Sequence, residues 1–177
     1  MNRPGRWGLV FLVGILCLAG SGCDALYRLL DKEGAEEKDL IGEVLPFEPN
    51  VKVEEVQRLL KVYGYSVGEV DGALGSRTRD AIEQFQRDRG LKPSRFVDRR
   101  TWDALHVFVR DGLIVDGRVD VRLVQRILLV AGFDPGDVDG ILGPQTIRAI
   151  RAFQKENGLT VDGKIGYETL SRLGEFL

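Results

Sequence analysis

The residues with the clearest chemical potential lie in two loops that share one sequence pattern. Each loop has Asp-Gly, a second glycine three residues later and a threonine three residues after that. The aspartate can accept hydrogen bonds from loop amides, and N–H groups exposed at a helix start can bind an anion such as a peptide carboxylate. Two compatible interpretations stay open: the pattern fastens the loop, or it binds a ligand. The candidate ligand-binding residues are Asp71, Gly72, Gly75, Arg77 and Thr78 in the first loop, and Asp139, Gly140, Gly143, Gln145 and Thr146 in the second.

The side chains that most enzymes use are scarce in this sequence. Its one histidine is His106, and its two cysteines, Cys17 and Cys23, lie near the N-terminus, so Ser-His-Asp catalysis, a cysteine zinc site and a disulfide framework are not expected. Glycoside hydrolysis needs two carboxylates across one cleft, whereas Asp71 and Asp139 belong to two equivalent turns. The balance of 25 basic and 27 acidic residues argues against nucleic-acid binding. We therefore predict no catalytic residues, no metal, no cofactor and no nucleic-acid partner.

The two loops belong to a longer internal repeat. Residues 54–105, shifted by 68 positions onto residues 122–173, align without a gap, and 21 of the 52 positions are identical. A repeat of this length indicates the duplication of one folding unit. We assign unit one to residues 51–110 and unit two to residues 111–177.

Each unit has the hydrophobic spacing of three short helices. The apolar stripes of unit one are Val56, Leu59, Leu60 and Tyr63, then Thr78, Ala81, Ile82 and Phe85, then Trp102, Leu105 and Val109; the last stripe of unit two is Leu170, Leu173 and Leu177. No alternating run is long enough for a sheet, and local pairing is considered only at residues 161–165. The fold class is therefore mainly α, with two tandem three-helix units. Units of about 60 residues are marginal alone, so we expect the first helix of unit two to dock on the third helix of unit one, giving one rigid body.

Four polar or aromatic side chains outside the loops also have predicted roles. Gln86 and Gln154 adjoin the buried stripe of the second helix, and their amides are predicted to tie down loop backbone rather than contact ligand. Trp102 shares a stripe with apolar residues, which favours burial over a sugar-stacking platform. His106 is predicted to be hydrogen-bonded and partly buried rather than a metal ligand.

The N-terminus has the composition of a secretory signal. Arg3 and Arg6 precede an uncharged apolar run that gives way to small residues before Cys23. Residues 18–23, Leu-Ala-Gly-Ser-Gly-Cys, resemble a bacterial lipobox, in which the cysteine is lipidated, although Gly20 stands where a large aliphatic residue is favoured. We predict a lipoprotein signal peptide over residues 1–22 and lipidation of Cys23. Cleavage without a lipid and an uncleaved anchor are the alternatives.

An acidic segment follows the signal. Residues 24–50 contain eight acidic and three basic residues, a net charge of −5, with prolines near the end. Self-repulsion and few large apolar groups favour an extended chain. We therefore predict that residues 23–50, the lipidated cysteine and an acidic linker, form a flexible tether.

The motifs follow one order in both units. A helix is followed by Asp-Gly-x-x-Gly-x-x-Thr, a second helix that ends in Phe-Gln, then Gly-Leu, a short connection and Thr-x-x-x-Leu. This order resembles the peptidoglycan-binding-like domain, a bacterial cell-wall module, over residues 53–105 and 121–173. The resemblance implies peptidoglycan binding, through glycan or stem peptide, without catalysis. Arg77 and Gln145, at matching helix starts, are the candidates for contact with a stem-peptide carboxylate or amide. Unit one departs from the pattern, since Ser76-Arg77 replaces Pro144-Gln145 and its second loop lacks Asp-Gly.

Together these features predict a membrane-anchored lipoprotein of the bacterial cell envelope that faces the periplasm or the cell wall. Its partners would be peptidoglycan and, through the lipid, a membrane. The alternative is a protein-interaction scaffold, or an accessory subunit for an envelope hydrolase or a secretion complex. A degenerate enzyme is disfavoured, because signal, tether and repeat account for the 177 residues.

Overall fold

The computed structural model describes residues 22–42 and 49–177 of the chain. Within the first helix, side chains are described from residue 32 onward. The predicted signal peptide and the side chain of Cys23 therefore lie outside the described residues. No helix in the described ranges combines the length and the apolar character needed to cross a membrane.

The described chain is mainly α-helical, as predicted, with two short strands at the start of unit two. The elements are α1 (Gly22–Ile41), α2 (Val51–Val62), α3 (Ser76–Asp88), α4 (Arg99–Leu105), α5 (Val107–Arg110), β1 (Ile114–Val115), β2 (Arg118–Val119), α6 (Val121–Val130), α7 (Pro144–Glu156) and α8 (Tyr167–Gly174). Helices α2, α3 and α4 with α5 belong to unit one, and helices α6, α7 and α8 belong to unit two.

The first helix of each unit begins and ends with the same local signals. The side chains of Asn50 and Asp120 cap α2 and α6, accepting hydrogen bonds from first-turn backbone N–H groups at 2.9, 3.1 and 3.0 Å. Gly64 and Gly132 follow these helices with φ of +97° and +87°, the left-handed conformation that ends a helix. The glycines that end these helices are equivalent in the repeat, whereas the N-caps are not, since Asn50 aligns with Arg118 and Asp120 aligns with Lys52.

The third helix of unit one is interrupted, which the apolar spacing did not predict. His106 separates α4 from α5, with φ −95° and ψ 5°. Its ring stacks on Trp102 with centroids 4.0 Å apart, and its Nδ1 donates to the carbonyl oxygen of Trp102 at 2.8 Å. In unit two, α8 ends at Gly174, so Leu177 lies beyond the helix to which it was assigned and is 60% exposed.

A β-hairpin lies at the start of unit two, and its second strand packs against α2 of unit one. Strands β1 and β2 pair antiparallel, with Ile114 opposite Val119. The turn residues Asp116 and Gly117 have φ of +51° and +68°, and positive φ at both central residues is typical of a type I′ turn. The expectation that no sheet forms missed this hairpin, because two-residue strands are too short to show alternation. The local pairing considered for residues 161–165 does not occur.

The flexible tether predicted for residues 23–50 is wrong for residues 23–41, which belong to the helix α1. The carboxylate of Glu37 accepts hydrogen bonds from both Nη atoms of Arg79, at 2.5 and 2.8 Å, and from the backbone N–H of Val97 at 2.8 Å. Glu33 pairs with Lys92, and both glutamates are 6% exposed. Cations of unit one thus neutralise acids that were expected to repel one another, and α1 is docked on that unit.

One hydrophobic core runs through both units. At the junction, the ring of Tyr167 from α8 lies 5.1 Å from Tyr63, 5.9 Å from Phe85 and 4.9 Å from Phe108, measured between centroids. The units therefore dock, but α8 meets unit one where the first helix of unit two was expected. Leu129, on the first helix of unit two, is 47% exposed.

Candidate functional site

A buried glutamine of α2 holds the Asp-Gly loop of unit one. The Nε2 of Gln57 donates to Oδ1 of Asp71 at 2.8 Å and to Oγ1 of Thr78 at 3.1 Å. Its Oε1 accepts hydrogen bonds from the backbone N–H groups of Asp71 and Gly72, at 3.0 and 2.9 Å. Oδ1 of Asp71 also accepts from the N–H of Ala73 at 2.9 Å. We call this set of helix glutamine, loop residue and next-helix threonine a glutamine clasp.

Unit two has the same clasp at the equivalent positions. The Nε2 of Gln125 donates to Oδ1 of Asp139 at 3.0 Å and to Oγ1 of Thr146 at 3.2 Å. Its Oε1 accepts from the N–H of Gly140 at 2.8 Å, and Asp139 accepts from the N–H of Ile141 at 2.8 Å. The fastening interpretation of both loops is confirmed by these contacts.

A second clasp in unit two joins α7 to α8. The Nε2 of Gln154 donates to Oδ1 of Asp162 at 3.0 Å and to Oγ1 of Thr169 at 3.1 Å. Its Oε1 accepts from the N–H of Gly163 at 2.8 Å. The prediction that this glutamine ties down loop backbone is confirmed.

The corresponding clasp of unit one is altered, as the missing Asp-Gly predicted. The Nε2 of Gln86 donates to Oγ of Ser94 at 3.2 Å and to Oγ1 of Thr101 at 2.9 Å. Arg95 occupies the glycine position with φ +70° and donates its N–H to Oε1 of Gln86 at 3.0 Å. The geometry of the clasp is therefore kept although its residues differ.

The clasps lower the pKa of their aspartates. For Asp71 and Asp139 the largest cause is the hydrogen bond from the glutamine, followed by a loop N–H. For Asp162 the largest cause is the N–H of Lys164. A general acid for glycoside cleavage needs a raised pKa instead. These carboxylates are therefore ionised at neutral pH, which suits hydrogen-bond acceptors and not a general acid.

The ten predicted ligand-binding residues lie in two loops, one in each unit, and do not form a single site. Their aspartates, Asp-Gly glycines and threonines are the clasp residues. Gly75 and Gly143 are the N-cap residues of α3 and α7 and provide no side-chain cap. Arg77 and Gln145 are exposed at the starts of these helices, and Gln145 donates to Asp134 at 3.3 Å. Ligand contact by these residues stays a prediction.

A cleft of about 820 Å³ lies between the two units, and the sequence did not predict it. One wall comes from the ends of α2 and α3 in unit one, and the other comes from α8 and the loop before it in unit two. On its floor, the guanidinium of Arg89 lies 3.9 Å from the ring centroid of Tyr167 and pairs with Glu168. None of the ten predicted residues lines this inter-unit cleft.

One sequence signal for the inter-unit cleft was available. Arg89 and Tyr167 stand where the other unit has Asn157 and Arg99. Positions that break an otherwise regular repeat are those where the two copies have different surroundings. Here these surroundings are the junction between the units.

The charged groups of the inter-unit cleft are partly paired. The hydroxyl of Tyr65 donates to Oδ2 of Asp88 at 2.8 Å, and burial together with this hydrogen bond raises the pKa of Tyr65. Glu168 pairs with Arg89. Lys61 in unit one and Lys164 in unit two are exposed, and neither forms an ion pair with any residue in the described part of the chain. Both walls of the cleft therefore carry an exposed ammonium group without an ion pair, and that of Lys164 also interacts with the charge of Asp162.

The chain matches the family model of the peptidoglycan binding domain twice, over residues 49–105 and 117–173. Each match begins before the cap of the first helix and ends at the middle residue of the third apolar stripe, Leu105 or Leu173, so it includes both clasps of its unit. The resemblance drawn from the motif order is confirmed.

Two relatives with known names share parts of the chain. It is 36% identical over 103 residues to N-acetylmuramoyl-L-alanine amidase CwlM of Mycobacterium tuberculosis, covering 52% of this chain and 25% of the amidase. It is 38% identical over 65 residues to localization factor PodJL of Caulobacter vibrioides, covering 37% of this chain and 7% of that protein. The chain thus spans a quarter or less of each relative. No solved structure shows a significant match.

Proposed function

Because the chain belongs to the peptidoglycan binding domain family in both of its units, we propose that it is a non-catalytic lipoprotein of the cell envelope that binds peptidoglycan and anchors or recruits at the cell wall. The observation that carries this proposal is the double family match over residues 49–105 and 117–173. Peptidoglycan as the partner and association with the cell wall follow from the family. The proposal goes beyond the family in two respects, namely that the protein is not catalytic and that a lipid anchors it.

Three observations support a role without catalysis. Both family matches are to a binding domain. The similarity to the amidase covers only a quarter of that enzyme and falls on the binding-domain region. The aspartates repeated between the units, Asp71 and Asp139, have lowered pKa values and are held by the clasps. The repeated aspartates are therefore explained by their structural role, without a catalytic pair of carboxylates.

The lipid anchor is supported by the N-terminal sequence pattern that ends at Cys23. A helix of 20 residues such as α1 is about 30 Å long. Its described contacts with unit one come from its second half, between Glu33 and Ile41. In this proposal α1 is a stiff spacer, so the body stays at a defined distance from the lipidated residue.

The test is a pull-down of the full-length protein, purified in detergent, on isolated sacculi. We expect the protein to sediment with sacculi and to release no soluble muropeptides. Mass spectrometry of the mature N-terminus is expected to show a lipid on Cys23 and none in Cys23→Ser. Protein that stays in the supernatant would contradict wall binding, whereas released muropeptides would contradict only the absence of catalysis.

A second candidate function, a protein-interaction scaffold, is favoured by an exposed apolar surface on unit two. Ile141 and Leu142 are 63% and 45% exposed. The residue equivalent to Leu142 in unit one, Leu74, packs instead against the cluster that contains Leu40 and Ile41 of α1. The relative named as a localization factor agrees with such a role. Crosslinking in cells that returns one protein partner, with sacculi ignored, would support this candidate over the first.

A further inference from the structure

We propose that the inter-unit cleft is the ligand site of this protein, and that it binds the stem peptides of peptidoglycan by their carboxylate groups through Lys61 and Lys164. The identity of the polymer rests on the proposed function. The inference adds one shared site between the units in place of two equivalent sites in the Asp-Gly loops.

The size and position of the cleft suit a small ligand. Its volume of about 820 Å³ falls within the range of about 300–1,000 Å³ that is usual for ligand pockets. Its two walls come from different units, and the aromatic cluster of Tyr63, Phe85, Phe108 and Tyr167 holds these units together. The walls are therefore fixed before any ligand arrives.

The free hydrogen-bond donors of the cleft favour an anionic ligand. Asp88 accepts a hydrogen bond from Tyr65, Glu168 is paired with Arg89, and Asp162 accepts a hydrogen bond within a clasp, so each of these carboxylates already has a donor from the protein. The ammonium groups of Lys61 and Lys164 are exposed and form no ion pair among the residues described. A carboxylate placed near either of them gains a charge-assisted hydrogen bond. Stem peptides supply several carboxylates each, whereas the glycan supplies at most the lactyl carboxylate of a muramic acid that carries no peptide.

The aromatic side chains at the cleft favour the peptide over the glycan. A sugar ring is commonly bound on the open face of an aromatic ring. The Arg89 guanidinium covers one face of Tyr167, and Tyr65 packs nearly perpendicular to Phe85 at 84° with centroids 5.7 Å apart. Leu159 lines the same space and offers an apolar contact for a small side chain. Lys61, Lys164 and Leu159 thus offer ammonium and aliphatic groups, which match a short acidic peptide.

The experiment is calorimetric titration of the full-length protein in detergent with the synthetic tripeptide L-alanyl-γ-D-glutamyl-diaminopimelate. The variant Lys61→Gln/Lys164→Gln is expected to bind at least about tenfold more weakly, since each lysine contributes a charge-assisted hydrogen bond. The matched control is Arg126→Gln/Lys155→Gln, which removes two exposed charges of unit two that do not line the cleft, and it is expected to bind like the wild type. Thr160→Trp, which fills the cleft from an exposed position, is expected to abolish binding without a change in circular dichroism.

Two further arms identify what is recognised. The tripeptide amidated at its carboxyl groups is expected not to bind, and glycan strands freed of stem peptides by an amidase and immobilised on beads are expected to retain less protein than immobilised fragments of intact peptidoglycan. Equal affinity of the lysine variant and the wild type for the tripeptide would overturn the proposal. Equal retention on the immobilised glycan would overturn it as well.

The failure of this proposal is distinguishable from the failure of the proposed function. Wild-type protein that binds intact sacculi while both cleft variants bind equally well overturns the cleft site and leaves wall binding in place. Wild-type protein that ignores sacculi overturns wall binding. In that case the tripeptide titration still decides whether the cleft recognises an acidic peptide.

Discussion

At the scale of single residues, the four glutamines of the clasps have one shared task. Gln57, Gln86, Gln125 and Gln154 are each buried on a helix, and each bonds a loop N–H, a loop side chain and the threonine of the next helix. A buried amide left without these partners would be costly, so the glutamine and the loop specify each other. The glutamine, aspartate, glycine and threonine of the family motif therefore act as determinants of the fold.

The clasp predicts a pH dependence for Asp139→Asn. Folding lowers the pKa of Asp139 from its ordinary value of 3.8. Its contribution to stability is therefore fully present above 3.8 and is lost as the pH falls through the lower, folded-state pKa. The Tm difference between wild type and variant is expected to be largest at neutral pH and to shrink in acid.

The matched control for this measurement is Asp137→Asn, which alters the same loop outside the clasp. It is expected to leave Tm nearly unchanged at each pH. A Tm difference for Asp139→Asn that stays constant, or grows, as the solution is acidified contradicts the role assigned to the carboxylate.

At the scale of elements, α1 changes the interpretation of the acidic segment. Its glutamates Glu33 and Glu37 are not repelled into an extended chain, because Lys92 and Arg79 of unit one receive them. The helix also contributes Leu40 and Ile41 to a small apolar cluster with Val53. Composition alone therefore gave the wrong state for this segment.

We expect Glu37→Gln to lower the free energy that holds α1 on unit one by about 2 kcal/mol, since hydrogen bonds to a charged group contribute about 1.5–3 kcal/mol. In this variant Arg79 loses its bidentate partner. Hydrogen exchange at residues 32–41 should become faster while exchange in α6 is unchanged. Asp39→Asn, at an exposed position of the same helix, is the control. Exchange rates in α1 that match between Glu37→Gln and wild type would show that this contact does not hold the helix.

What the sequence predicted well was local or repeated. The first two helical stripes of each unit, the glycine helix ends and the tying role of Gln154 depend on residues within one unit, and each of these patterns occurs in both copies. The docking of α1 depends on Arg79, which is 42 residues from Glu37 along the chain. The inter-unit cleft depends on how two units are placed, and no stripe or spacing within a unit encodes that placement.

At the scale of the whole molecule, the two units behave as one folded body because they share a core. The junction is aromatic, and Tyr167 of unit two is its centre, in contact with three rings of unit one. The hairpin at the start of unit two leaves little free chain. Both features oppose independent motion of the units.

We therefore expect wild-type protein to unfold in one cooperative transition and Tyr167→Ala to lose about 3 kcal/mol of stability and to unfold in two steps. Calorimetry measures the number of transitions, and NMR relaxation measures whether the units tumble together. Phe176→Ala is the control, since this ring packs on Phe153 within unit two alone. Separate rotational correlation times for the two units of the wild type would contradict a common core.

The common core has a thermodynamic consequence for recognition. Walls that are already in place at the Tyr167 junction require no hinge closure, so a ligand does not have to order the protein when it arrives. Ligand binding should accordingly be accompanied by only a small loss of the protein's conformational entropy. The same rigidity limits the size of the chemical group that can enter the cleft, because neither wall can move outward without breaking the packing beneath it.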